Sequence, residues 1–137
     1  MGERFKYWKK PKIQEGKLTK WNWIVLHKKN LKLGYKTDIG AFTLINAEKG
    51  VIVEDFVQIG AHCSIYSVST IDNKKGKIVL KKNCKIGAYS LIMPGVKVGE
   101  NSIIGAFSFV DKDIPDNVIA FGTPVKVVKS KKSVKLL

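Results

Sequence analysis

The sequence predicts an all-β chain wound into a triangular parallel β-helix. Three periodicities that share one period predict it. Branched aliphatics recur every sixth residue: Leu33, Ile39 and Ile45, then Val53, Ile59, Ile65 and Ile71, then Leu80, Ile86, Ile92, Val98, Ile104 and Val110. The residue after the aliphatic is often glycine, at Gly34, Gly40, Gly60, Gly87, Gly99 and Gly105. Four residues after it stands a small or β-branched one: Thr37, Thr43, Val57, Cys63, Ser69, Cys84, Ser90, Val96, Ser102 or Ser108.

A period of six suits neither an α-helix nor a half-buried strand. It suits a three-sided coil of roughly 18 residues, as in parallel β-helix repeats. Each short strand sends one large aliphatic to the axis and a small residue fills the corner. Glycine is expected to relieve the backbone where the chain turns. The readable units give roughly four coils. Their backbone hydrogen bonds run from coil to coil, which leaves only two ends to cap.

The elements follow in order. Residues 1–30 do not repeat and form a cap segment. They hold all three tryptophans, Trp8, Trp21 and Trp23, and Ile24-Val25-Leu26 reads as a short strand entering the helix. Residues 31–114 form the β-helix, interrupted where the register slips by two. The first slip lies around Glu48 to Val51, the second at Asp72 to Lys77, where Asp-Asn-Lys-Lys-Gly is turn chemistry. A loop leaving a regular prism is a place to build a site. Residues 115–137 supply a final strand, the turn Gly122-Thr123-Pro124 and a basic tail.

A chain of 137 residues with 45% hydrophobic and 26% charged residues makes one domain with a core. No apolar run reaches the ~20 residues of a membrane helix. The segment Met1 to Lys12 is basic and aromatic with no apolar stretch behind it, so no secretory signal is expected. Two cysteines are too few for a disulfide scaffold and fit a reducing cytoplasm. The net charge of +14 is spread over pairs such as Lys9–Lys10, Lys28–Lys29, Lys74–Lys75, Lys81–Lys82 and Lys131–Lys132. It reads either as a solvated surface or as help in holding phosphates.

Residues 83–129 contain PGVKVG, IIGAFSFV, DIP and GTPVKV in succession. This resembles the C-terminal signature of the hexapeptide-repeat acyltransferases, which acetylate oxygen or nitrogen on sugars and sugar nucleotides. The resemblance covers about residues 33–129. It implies left-handed coils, against the usual right-handed crossover, and a homotrimer with acyl-CoA in the groove between adjacent prisms. It implies that acetyl-CoA, as acyl donor, is held by late-coil backbone near Gly87, Ala88, Gly105, Ala106 and Ser108. Gly122, Thr123 and Pro124, with Lys126 and Lys129 after them, resemble the segment that receives the adenosine phosphates, where lysines act as point charges.

Acyl transfer needs a base for the nucleophile's proton and a donor for the oxyanion. The resemblance implies a histidine base, a residue type that titrates near neutrality. The chain has two histidines, His27 and His62. His62, in Ile59-Gly60-Ala61-His62-Cys63-Ser64, falls at an outward corner position and is the candidate. Many relatives carry the base later, before the second loop. Here that stretch, Ile65 to Asp72, has no histidine. Asp72 could orient His62 across a coil or an interface. Lys85 replaces a tryptophan that several relatives place beside the pantetheine. Cys63 and Cys84 read as packing residues, and no Cys/His spacing suggests a metal.

The leading expectation is an acetyl-CoA-dependent acetyltransferase. Its acceptor would be a hydroxyl or amine of a sugar or nucleotide-linked amino sugar, bound between subunits of a trimer. The alternative is a catalytically inactive trimer that binds or scaffolds. A carbonic-anhydrase-like metal site would need a third histidine. Nucleic-acid binding lacks a recognised reading element.

Overall fold

The computed structural model describes residues 5–130. The first coil holds β1 (Ile24–Leu26), β2 (Leu31–Leu33) and β3 (Asp38–Ile39). The second holds β4 (Leu44–Asn46), β5 (Val51–Val53) and β6 (Gln58–Ile59). In the third, β7 (Ser64–Tyr66) leads to a hairpin, β8 (Val68–Ser69) and β9 (Lys74–Lys75), before β10 (Ile78–Leu80) and β11 (Lys85–Ile86). The fourth holds β12 (Leu91–Ile92), β13 (Lys97–Val98) and β14 (Ile103–Ile104). A partial fifth runs from β15 (Phe109–Val110) past Ile114 to β16 (Val118–Phe121), and β17 (Lys126–Ser130) folds back on it.

These strands stack into three parallel faces of a left-handed β-helix. The first face is β1, β4, β7, β12 and β15; the second is β2, β5, β10 and β13; the third is β3, β6, β11, β14 and β16. The register shows why the six-residue reading slips. Ile24 pairs with Leu44 and Leu44 with Ser64, whereas Leu91 pairs with Phe109. The first two coils are thus 20 residues long and the fourth is 18. The extra pair sits at the corner between first and second faces. There Lys28–Asn30 makes a 3₁₀ turn in the first coil, residues 47–50 turn in the second, and the hairpin leaves in the third.

Inside, the aliphatics form columns. Val25, Ile45, Ile65, Ile92 and Val110 of the first face are wholly buried, each contributing about 1.5–3 kcal/mol relative to exposure. Thr43, Cys63, Ser90 and Ser108 fill one corner, and Thr37, Val57, Cys84 and Ser102 fill another. One expected column member is displaced. Ile71 is 98% exposed at the hairpin tip, because the chain leaves the prism after Ser67. Ser67, not Ser69, is therefore the buried small residue of that corner.

The glycines act differently from the expectation. Among the described glycines, only Gly16, Gly50, Gly95 and Gly122 have positive φ. The turns are made by non-glycine residues in the left-handed region, such as Phe42, Phe56, His62, Asn83, Tyr89, Asn101 and Phe107. The repeat glycines are needed for approach. A Cβ on Gly40, Gly60 or Gly87 would lie 2.4–2.6 Å from the amide nitrogen of the next coil.

Both ends are covered. At the start, Gly16 N–H donates to Val25 O, and the Trp8 indole donates to Thr37 O at 2.8 Å. At the finish, antiparallel β17 pairs with β16. Among the described residues no helix is long and apolar enough to cross a membrane.

Candidate active site on one edge of the prism

The corner between the third and first faces is built the same way in successive coils. It reads Gly40-Ala41-Phe42-Thr43, Gly60-Ala61-His62-Cys63, Gly87-Ala88-Tyr89-Ser90 and Gly105-Ala106-Phe107-Ser108. Glycine allows the next coil to approach and alanine keeps the edge low. The third residue takes the left-handed conformation, and the fourth turns inward. The amide N–H of the third residue donates to the alanine carbonyl of the preceding coil: His62 to Ala41 at 2.9 Å, Tyr89 to Ala61 and Phe107 to Ala88 at 3.0 Å. One rung above, Phe42 N–H donates to Asn22 O.

Left-handed φ aims these third side chains outward, one above another. The rings form a continuous column. Phe42 lies 5.3 Å from His62, His62 4.7 Å from Tyr89 and Tyr89 5.1 Å from Phe107, the last two pairs stacked within 8° of parallel. Phe42, Tyr89 and Phe107 are more than half exposed. Only His62 was singled out from the sequence. The other rings carry a signal of the same period, standing three residues after Ile39, Ile86 and Ile104.

Inside the corner runs a ladder of hydroxyl and thiol groups. Thr43 Oγ1 donates to Gly60 O and accepts from Cys63 N–H. Cys63 Sγ reaches Gly87 O, and Ser90 Oγ donates to Gly105 O and accepts from Ser108 N–H. Ser108 Oγ donates to Gly105 O at 2.6 Å and accepts from Gly122 N–H at 3.1 Å. The Ser108 hydroxyl is thus engaged within the corner. Burial, first of all, raises the Cys63 thiol and pushes Cys84 up to about 12, with the Glu54 charge adding at Cys84. Neither is an available nucleophile.

Gly122 closes the edge. The Thr123 hydroxyl donates to Phe107 O at 3.1 Å, and Thr123 and Pro124 are exposed below the column. Lys126 and Lys129 stand exposed on β17, opposite Phe121 and Ile119. Gly87, Ala88, Gly105, Ala106, Gly122, Thr123 and Pro124 therefore share one edge with His62. The amide N–H groups of Ala61, Ala88 and Ala106 make no hydrogen bond within the described chain. A vertical row of free donors on a low edge fits an extended amide-bearing ligand such as a pantetheine arm. Lys85 projects from the third face beside Gln58 and Ile103.

The other polar candidates sit on a different corner. His27 caps the 3₁₀ turn between the first and second faces. Its N–H donates to Glu15 at 2.7 Å, and its Nε2 lies 3.5 Å from Glu48. Asp72, in the hairpin at that same corner, lies 3.6 Å from Lys74 Nζ. The Ser69 hydroxyl, foremost, and Lys74 hold its carboxyl below the usual range. Within one chain neither His27 nor Asp72 shares an edge with His62.

A model of the bacterial transferase hexapeptide (six repeats) matches residues 77–112. That stretch of the chain carries the hexapeptide repeat, and the chain's fold is shared with hexapeptide-repeat proteins. Among hexapeptide relatives, a galactoside O-acetyltransferase of Lactococcus lactis is 40% identical over 94 residues, 62% of this chain and 45% of that protein. The chain thus spans under half the length of that relative. A hexapeptide-repeat acetyltransferase of Vibrio cholerae, solved with acetyl-CoA, superposes with a TM-score of 0.75 at 25% identity. That match covers 79% of this chain and 64% of the other. A mutant of AntD, an N-acyltransferase of Bacillus cereus, was solved with dTDP-4-amino-4,6-dideoxyglucose and coenzyme A. It gives a TM-score of 0.56 at 29% identity, over 80% and 70% of the two chains.

Proposed function

We propose that this hexapeptide protein is an acetyl-CoA-dependent acetyltransferase. It acts in the cytoplasm, as a homotrimer, on a hydroxyl or amine of a sugar or nucleotide-linked amino sugar. One observation carries the reading: a single edge presents His62, the free amides of Ala61, Ala88 and Ala106, and the Gly122-Thr123-Pro124 turn in line. The CoA-bound relatives support the donor, and the galactoside and amino-sugar relatives support the acceptor class.

Acetyl-CoA would supply a thioester whose carbonyl carbon takes the acceptor's lone pair while the C–S bond breaks. His62 would remove the acceptor's proton as the new bond forms and return it to the departing sulfur. A free corner amide would donate to the carbonyl oxygen as it gains charge. Gly122 to Pro124 would anchor the far end of the donor, with Lys126 and Lys129 near its phosphates.

The chemistry of the faces supports the trimer. Outward positions of the first face are Ile24, Leu44, Ser64, Leu91 and Phe109, without a charge. The second face shows Lys32 and Lys97, and the third shows Asp38 and Lys85. Burying the first face around a threefold axis makes a head-to-tail interface. The His62 edge of one subunit then faces its neighbour's hairpin, which carries Asp72. This is the arrangement in which Asp72 can meet His62 or the acceptor.

The test is calorimetric titration with acetyl-CoA, paired with thiol release over a panel of sugars and nucleotide amino sugars, for wild type and His62→Ala. Binding with turnover that collapses in the variant supports the reading. Turnover unchanged in His62→Ala removes His62 as base. Binding without turnover leaves the non-catalytic trimer, a reading favoured by one observation: the described chain gives His62 ring neighbours but no carboxylate partner.

A further inference from the structure

All three tryptophans of the chain converge on one cavity of about 720 Å³ at the N-terminal end of the prism. It lies between the arm running from Phe5 to Gln14 and the segment Leu18 to Trp23, with Thr37 to Ile39 of the first coil as its floor. Trp23 is buried in the core beneath it, and Trp8 is fixed by its bond to Thr37 O. Trp21 and Tyr7, in contrast, are 47% and 81% exposed. Capping the first coil requires Trp8 and Trp23. It does not require two further aromatic rings held open to solvent around a cavity of ligand size.

The rim is cationic. Lys9, Lys10, Lys12 and Lys20 surround the rings, and the Lys20 ammonium lies 5.6 Å from the Trp21 ring centroid. Asp38 is the one acid among the described lining residues, and it is already engaged. Flat aromatic surface ringed by lysines matches a ligand with a planar ring at one end and phosphates at the other. We infer that this cavity binds a nucleoside diphosphate, its base against Trp21 and Tyr7 and its phosphates among Lys9, Lys10, Lys12 and Lys20. Asn22, between Trp21 and Trp23, accepts the Phe42 N–H at the head of the aromatic column. The segment that lines the cavity therefore borders the top of the edge that carries His62, and a nucleotide-linked acceptor held there would extend toward that edge. That last step rests on the transferase reading; nucleotide binding does not.

Because every tryptophan lines the cavity, intrinsic fluorescence reports on it alone. The full chain is titrated with UDP and ADP, with uridine and with inorganic pyrophosphate, following tryptophan emission. The expected result is saturable quenching by both diphosphates, at least about tenfold tighter than by uridine or pyrophosphate. Trp21→Ala, with Trp8 and Trp23 still reporting, should weaken it about tenfold, the scale of one lost base stack. Lys12→Ala with Lys20→Ala should weaken binding and flatten its salt dependence. Both variants should keep the wild-type melting temperature, since the altered side chains are exposed. His62→Ala should leave the quenching unchanged while turnover falls, which separates this site from the transferase reading. No saturation at millimolar nucleotide, pyrophosphate as tight as UDP, or wild-type affinity in folded Trp21→Ala would each overturn the inference.

Discussion

The imidazole of His62 lies face to face with the phenol ring of Tyr89, centroids 4.7 Å apart and planes 6° from parallel. The same ring therefore has a packing role and, as proposed, a chemical one. Two substitutions separate them. His62→Phe keeps a flat ring between Phe42 and Tyr89 and should leave the melting temperature within about 2 °C of wild type, since exposed substitutions usually cost under about 0.5 kcal/mol. It should still lower kcat by about 100-fold or more, the usual scale of a lost general base. His62→Ala should lose the same turnover and also some stability. A Phe variant that retained turnover would leave His62 as a rung of the column only.

The repeat glycines make a sharper stability prediction. A Cβ on Gly87 would sit 2.5 Å from Ala106 N and 2.8 Å from its Cα, backbone that cannot swing aside. Gly87→Ala should cost about 3 kcal/mol or more, the upper range for overpacking. Gly95 has φ +82° but open space around it. Gly95→Ala should cost only the backbone term of about 1–2 kcal/mol. Urea unfolding with an unchanged m-value measures both. Equal costs would mean that the neighbouring coil can give way and that close approach does not select glycine at position 87.

The difference between those glycines shows what was legible in the sequence. A period of six survives in one dimension, so the aliphatic columns, the glycines after them and the small corner residues could be read from spacing alone, whereas the candidate edge came from the resemblance. Why glycine follows six of these aliphatics could not be read, because the colliding atoms lie a whole coil away in sequence. Ile71 kept the period yet left the core, since its unit belongs to a hairpin whose backbone pairs with itself. The first strand was readable as Ile24-Val25-Leu26. Its place as the first rung was hidden by two extra corner residues in each of the first two coils. Phe42, Tyr89 and Phe107 were visible as a fourth periodicity. Their role was not, because aromatic residues are expected inside and left-handed φ here turns them out.

Cys84 links the core to pH. Burial, with the Glu54 charge next, pushes its thiol up to about 12 from the ordinary value of 9.0. Above pH 9 the unfolded thiol loses its proton while the folded one keeps it. The unfolded state then binds fewer protons, and stability must fall as pH rises. The loss runs between about pH 9 and about pH 12, at up to about 1.4 kcal/mol per unit. Comparing urea midpoints of wild type and Cys84→Ala over that range isolates this from lysine titration. The Ala variant should start lower, because it leaves a small cavity, and should decline less steeply. Parallel declines would show that the unfolded chain protects the thiol equally.

The first face decides whether the edge works alone. Leu91 and Phe109 are adjacent outward residues of β12 and β15, partly exposed on a face that shows no charge in its outward column. A trimer would cover them; a monomer would leave an apolar strip in water, which invites association. Replacing both, Leu91→Lys with Phe109→Lys, sets like charges beside one another across every copy of the interface. Each side chain points away from the core, so circular dichroism should remain that of a folded β-helix. Sedimentation should shift from about three chains of 15.3 kDa to one. Turnover should disappear with the trimer, because the neighbour's hairpin no longer reaches His62. Nucleotide quenching at the tryptophan cavity should persist, since one chain builds that cavity entirely. A monomeric variant that still transfers acetyl groups would place the whole reaction on one edge and remove Asp72 from it.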